Sequence, residues 1–161
     1  MDKQEMLCRM AEERQKLLQA MEGLTGEQMT RPETVGEWSV KDILGHIASW
    51  DEETLKAVKQ LVHEGRPYIM EDLDSVDAWN ARQVQKKRDL PLGEVVAEFT
   101  AVRQELLEVV EGLTEEQLTQ RVQYPWPEEG PLQELIAAST FEHDGEHCRD
   151  ILAWRKTLPG T

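Results

Sequence analysis

This sequence predicts an all-α fold, a four-helix bundle with a long crossover between helices 2 and 3. Three observations lead there. Four long segments carry apolar residues at helical spacing, period-2 runs of β-branched and aromatic residues are absent, and two helix–loop–helix halves are joined by a long connection. The 161 residues fit one domain, taken as 1–161. A hydrophobic content of 39% suffices for a core, although it lies below the average.

The first segment, residues 2–22, aligns Met6, Met10, Leu17, Leu18 and Met21 into one stripe. The second, residues 39–64, does the same with Val40, Ile43, Leu44, Ile47, Trp50, Leu55, Val58 and Val62. It opens on Ser39 with Asp42 three residues later, the pattern of a capping box. The connection, about residues 65–90, begins Gly65-Arg66-Pro67 and turns acidic through Glu71-Asp72-Leu73-Asp74. Residues 75–88 then fit an extra helix with Val76, Trp79 and Val84 inward. A crossover of this length lets helices 2 and 3 run roughly parallel. The third segment, residues 92–111, follows Pro91 and carries Leu92, Val95, Val96, Phe99, Val102, Leu106, Val109 and Val110. The fourth reads as one helix over 131–156, with Pro131 at its first position and Leu132, Leu135, Ile136, Ile151, Leu152 and Trp154 on its stripe. Pro159-Gly160 closes it.

The halves repeat each other. Glu22-Gly23-Leu24-Thr25-Gly26-Glu27-Gln28-Met29-Thr30 matches Glu111-Gly112-Leu113-Thr114-Glu115-Glu116-Gln117-Leu118-Thr119. In both copies a glycine ends a long helix, and a threonine with glutamine three residues on starts a short one. A tryptophan-containing loop follows each copy, at Trp38 and at Trp126, and then another long helix.

A formal net charge of -14 disfavours nucleic acid and anionic membrane as partners. The densest basic run, Lys86-Lys87-Arg88, is too short for a DNA-binding stripe. No apolar run approaches the ~18 residues of a transmembrane helix. Residues 1–20 carry charges throughout, so no signal peptide is expected and a cytoplasmic location is. Cys8 and Cys148 do not make a disulfide framework and read as reduced thiols. No glycine-rich phosphate loop is present, which argues against a nucleotide-dependent enzyme.

Four histidines remain: His46, His63, His143 and His147. His143 and His147 stand i, i+4 and stack on one helix face. His46 falls on the second long segment. Three neutral imidazoles from two packed helices make a facial metal site with open positions, suited to zinc, nickel or iron(II). Asp144 follows the first histidine where a zincin has glutamate, so the HExxH motif is absent. His63 reads as a residue interacting with the C-terminal dipole of its helix. Asp42 and Asp150, each one turn from a histidine, are candidates to orient the imidazoles. Cys148 points ~100° round the helix from His147 and reads as a small buried residue. Trp79-Asn80 on the crossover can wall a pocket above the ion.

The segment Gly36-Glu37-Trp38-Ser39-Val40-Lys41-Asp42-Ile43-Leu44-Gly45-His46 resembles the start of helix 2 in the DinB-like (damage-inducible) metalloprotein superfamily. The segment Glu142-His143-Asp144-Gly145-Glu146-His147-Cys148-Arg149-Asp150-Ile151 resembles that family's helix 4 signature. The resemblance implies that His46, His143 and His147 bind a divalent metal. It implies the long crossover, a homodimer and a small-molecule substrate. It also implies metal-dependent transfer or isomerisation with a low-molecular-weight thiol as cosubstrate, although the extra domain of some thiol-dependent isomerases is missing. Three functions follow as expectations: an S-transferase acting on a small electrophile, a hydrolase using metal-bound water, and a non-catalytic small-molecule or metal-binding protein.

Overall fold

A computed structural model describes residues 1–160. Its long helices are α1 (Lys3–Met21), α3 (Val40–Glu64), α5 (Leu92–Glu111) and, in the place of the fourth, α7 (Leu132–Ser139) followed by α8 (Phe141–Arg155). The short helices α2 (Gly26–Thr30) and α6 (Glu115–Thr119) occupy matching places in the two halves, and α4 (Val76–Lys87) lies on the crossover.

The local chemistry accounts for the boundaries. Ser39 and Asp42 form the expected capping box at the start of α3, and Thr25 with Gln28 and Thr114 with Gln117 form equivalent boxes on α2 and α6. Gly65 ends α3 at φ 66°, a left-handed conformation that costs glycine little. Pro91 precedes α5 as expected, at its cap position, whereas Pro131, expected as the first helical residue, stands one residue earlier at the cap of α7.

The crossover does what its length allows. Along α3 and α5, Gly45 meets Val95, Asp51 meets Arg103 and Lys59 meets Glu105, so the two helices run parallel. Arg9 over Phe141, Arg14 with Asp144, and Arg155 with the Ala20 carbonyl order α1 and α8 in the same sense. On α4, Trp79 and Val84 are buried as expected, whereas Val76, its first residue, is 53% exposed. Leu18, Val62, Val96 and Leu152 also lie at the edges of their stripes and are exposed.

Two expectations need correction. The single helix over 131–156 is broken at Thr140, whose backbone (φ -113°, ψ -95°) leaves the helical region. Its hydroxyl donates to the Ile136 carbonyl at 2.6 Å, competing for an acceptor of the helical ladder. The chain also contains an antiparallel hairpin of β1 (Arg121–Gln123) and β2 (Glu129–Pro131), with Val122 opposite Gly130. Three-residue strands are too short to show alternation in sequence. A Cβ at position 130 would overlap the Tyr124 hydroxyl, so glycine there lets the ring lie across the strand.

The core is divided. One apolar cluster holds Met6, Met10, Leu55, Val58, Leu106, Val110 and Phe141, and the other holds Leu17, Ile43, Leu44, Ile47, Val95, Phe99 and Ile151. Between them, each of the four long helices contributes one charge: Arg14, Asp51, Arg103 and Asp144. The Arg103 guanidinium donates to Asp51 at 2.9 and 3.0 Å and to Asp144 at 2.7 and 3.1 Å. Arg14 donates to Asp144 at 2.8 and 3.2 Å and stacks on Phe99 with its guanidinium 3.9 Å from the ring centroid. Two cations and two anions cancel, and bidentate geometry satisfies most of their hydrogen-bonding capacity away from water.

Candidate metal centre

His46 lies in the second turn of α3, and His143 and His147 lie in the first two turns of α8. The three side chains converge. His143 Nε2 is 2.9 Å from His46 Nε2 and 3.0 Å from His147 Nε2. A nitrogen from each ring falls within 4.8 Å of the others. His63, by contrast, is exposed in the last turn of α3, outside this cluster.

Hydrogen bonding alone does not explain the convergence. A neutral imidazole nitrogen either donates one hydrogen or offers one lone pair. His143 Nε2 can therefore satisfy one neighbour, and the other contact then sets like against like. Protonation does not relieve this, because burial pushes the rings down, helped by their neighbours. His46 falls to about 2, with His143, His147 and Lys87 adding to burial. His143 falls to about 3, with His147, Arg103 and Arg14 adding. His147 is also lowered by burial, with Asp150 and Glu146 opposing. A shared cation resolves the crowding of three lone pairs. Nitrogens that would share one ion at about 2.1 Å each would stand roughly 3.0–3.4 Å apart, close to the two separations found here. The donor set thus fits a divalent ion bound through Nε2.

The supporting shell is thinner than the sequence suggests. None of the three Nδ1 atoms has an aligned hydrogen-bond partner among the described residues. Asp150 Oδ2 comes within 3.3 Å of His147 Nδ1, the ion-pair range without hydrogen-bond alignment. Asp42 does not orient His46, since its carboxylate caps the Ser39 amide at 3.1 Å. Cys148 is buried, with Glu13, Lys16 and Arg149 as its charged neighbours, and is absent from the cavity wall.

Above the histidines opens a cavity of about 420 Å³, walled by Trp38, Trp50, Trp126, Asn80, Ser139 and Glu146 among others. Asn80 of the expected pair lines it, and its Oδ1 accepts from Trp50 Nε1 at 2.8 Å. Trp79 is buried behind, with its ring centroid 4.5 Å from that of Trp50. The two tryptophan loops of the repeat supply the other walls. Trp38 leaves a tight turn closed by the Val35–Trp38 bridge and lies 4.7 Å from the His46 ring. Trp126 projects from the hairpin to meet Trp50 edge-on at 5.9 Å. Sequence reasoning missed Trp126 as a wall because it missed the hairpin, and it missed Glu146 and Ser139. Their only signal was their spacing of i+3 and i-4 from His143. A larger cleft, about 550 Å³, lies on the other side of Trp38 and contains none of the histidines.

A family model described as the DinB superfamily matches residues 9–151. The chain belongs to the DinB superfamily. Solved structures agree on the fold. YfiT from Bacillus subtilis, described as a probable metal-dependent hydrolase with an unusual four-helix bundle topology, superposes with TM-score 0.72 at 20% identity over 96% of this chain and 86% of its own. The colibactin self-resistance protein ClbS, crystallised with double-stranded DNA, gives TM-score 0.82 at 16% identity, covering 98% and 97%. A mycothiol-dependent maleylpyruvate isomerase gives TM-score 0.77 at 10% identity, covering 94% of this DinB-superfamily chain and 61% of the isomerase. At these identities the likeness establishes the fold. No functionally curated protein matches the chain by sequence. Among the described residues, no helix is long and apolar enough to cross a membrane.

Proposed function

We propose that this DinB-superfamily protein is a divalent-metal-dependent enzyme that transfers a low-molecular-weight thiol to a small electrophile, with His46, His143 and His147 as the metal ligands. The observation that carries the reading is the convergence of three uncharged Nε2 atoms, 2.9 and 3.0 Å apart, on the floor of a tryptophan-walled cavity. When bound there, a divalent ion supplies a Lewis acid at which a thiol or a water gives up its proton near neutral pH. The chain brings no thiol of its own to the cavity, because Cys148 faces elsewhere, so the nucleophile enters from solution. Trp38, Trp50 and Trp126 give the cavity apolar walls, and the Glu146 carboxylate, at the solvent edge of the wall, can receive the proton the nucleophile loses. In the transfer the thiol sulfur bonds to the electrophilic carbon, whose leaving group departs with the bonding electron pair. The thiol-dependent isomerase among the structural relatives supports this reading.

Water is the alternative nucleophile. The same Glu146 favours a hydrolase, as does the likeness to YfiT. Duplex DNA is a poor partner for a chain of net charge -14, whatever ClbS binds, and we infer a small-molecule substrate, a cytoplasmic setting and a homodimer.

The test begins with untagged protein and elemental mass spectrometry. About one ion per chain is expected, lost in His147→Ala and in the triple variant lacking His46, His143 and His147. Full metal retention by both variants would sink the ligand assignment. Thiol consumption with 1-chloro-2,4-dinitrobenzene, abolished by chelator and restored by the ion, separates transferase from hydrolase.

A further inference from the structure

We propose that the walls of the cavity over the histidines select an uncharged, flat, benzyl-sized molecule and offer no side-chain partner to a carboxylate or phosphate. The inference rests on the reading of this cavity as the substrate chamber and adds the class of substrate.

Charge accounting comes first. No lysine or arginine lines the cavity. The nearest cationic groups are already committed. Arg103 spends its guanidinium on Asp51 and Asp144, and Arg14 on Asp144 and the Phe99 ring. Lys87 donates to the Gly45 carbonyl at 3.0 Å and pairs with Glu98 at 2.8 Å. The one charged side chain in the wall is Glu146, which repels anions. An anionic substrate would therefore find no cationic side chain in the wall to replace its hydration, and the ion alone could receive it.

Shape comes second. Trp50 and Trp126 have their indole N–H groups occupied, by Asn80 Oδ1 at 2.8 Å and by Glu128 Oε2 at 3.2 Å. What they turn to the cavity is carbon surface, and such surfaces favour a ring stacked or set edge-to-face. About 420 Å³ accommodates a benzyl group with a short polar tail, within the range of small-ligand sites. Asn80 and Ser139 remain as neutral polar groups to orient that tail.

The test is a series of closely similar size: phenylacetamide, phenylacetate and phenethylammonium. Binding is followed by calorimetry and by tryptophan fluorescence. Each is titrated into zinc-loaded protein and into the metal-free triple histidine variant, where a carboxylate cannot use the ion. Phenylacetamide is expected to bind at least about tenfold tighter than phenylacetate to the metal-free variant, and Trp126→Ala to weaken it by about tenfold. Glu146→Gln is expected to narrow the gap to phenylacetate. Phenylacetate equal to or tighter than the amide in the metal-free variant would overturn the proposal. So would a preference for phenethylammonium, which would make the indoles and Glu146 a cation site, and so would the absence of saturable binding by all three. Failure of the metal assignment instead appears as wild type without zinc, and it leaves the metal-free comparison intact.

Discussion

Replacing Arg103 with alanine tests the polar layer that divides the core. Arg103 is 3% exposed and makes four hydrogen bonds of 2.7 to 3.1 Å to two fully buried carboxylates. Its removal leaves Asp51 and Asp144 facing one remaining cation. Asp51 keeps only a 3.4 Å contact to Arg14. Breaking a buried pair from one side costs about 3–5 kcal/mol. At about 2–4 °C per kcal/mol for a chain of this length, the melting temperature should fall by roughly 6–20 °C. Arg14→Ala should cost less, because Arg14 is 12% exposed and water can reach the carboxylate it leaves. Urea denaturation of the metal-free proteins at neutral pH reads the free-energy losses, and thermal denaturation the shift in melting temperature. A loss below about 1 kcal/mol for Arg103→Ala, or a larger loss for Arg14→Ala, would refute the account of the layer as a closed ionic unit.

The histidines make metal-free stability depend on pH. Their folded values, about 2 for His46 and about 3 for His143, lie below an unfolded value of about 6.5, so the unfolded chain binds more protons across that window. Stability should be fully present above pH ~6.5 and fall progressively as pH drops toward ~3. Equal slopes for wild type and the triple histidine variant in urea midpoints would contradict this. Gly130→Ala should displace Tyr124, break its 3.1 Å hydrogen bond to the Pro131 carbonyl and cost about 1–3 kcal/mol, read by thermal denaturation. Trp50→Phe removes the donor to Asn80 and should cost about 0.5–1.5 kcal/mol. Unchanged stability would mean that Asn80 is held by other contacts.

Helices were legible where the stripe was long. The capping boxes at Ser39, Thr25 and Thr114 marked helix starts, and the length of the crossover allowed helices 2 and 3 to run parallel. The break at Thr140 was hidden because Ala137-Ala138-Ser139-Thr140 continues a helical pattern, and one side-chain hydrogen bond decides the matter. The hairpin was hidden because three-residue strands carry no period. The histidine cluster was legible because three rare residues fell on two helices. The ionic layer was not read from the sequence, although its signal is there. Arg14 sits between Met10 and Leu17, Asp51 between Ile47 and Leu55, Arg103 between Phe99 and Leu106, and Asp144 between Phe141 and Cys148. A single charge on an apolar stripe is unremarkable. Four of them, one per long helix and summing to zero, announce a buried layer.

That layer and the histidines share their helices, which gives the layer a role beyond its own energy. Asp144 neighbours His143 on α8, and Asp51 follows His46 by five residues on α3. Apolar clusters tolerate slippage, whereas a turn of one residue swings a helical side chain by about 100° and would separate the three Nε2 atoms. Bidentate pairs to Arg103 resist that turn. Replacing all four charges together, with Arg14→Leu, Asp51→Leu, Arg103→Met and Asp144→Leu, should leave stability unchanged or raise it by about 1–4 kcal/mol, since no charge is left unpaired. The same variant should bind zinc at least about tenfold more weakly and give a broadened cobalt(II) spectrum, because nothing then fixes the rotation of α3 against α8. Wild-type zinc affinity with an unaltered cobalt spectrum would show that packing alone sets the site, and that the ionic layer serves only the fold.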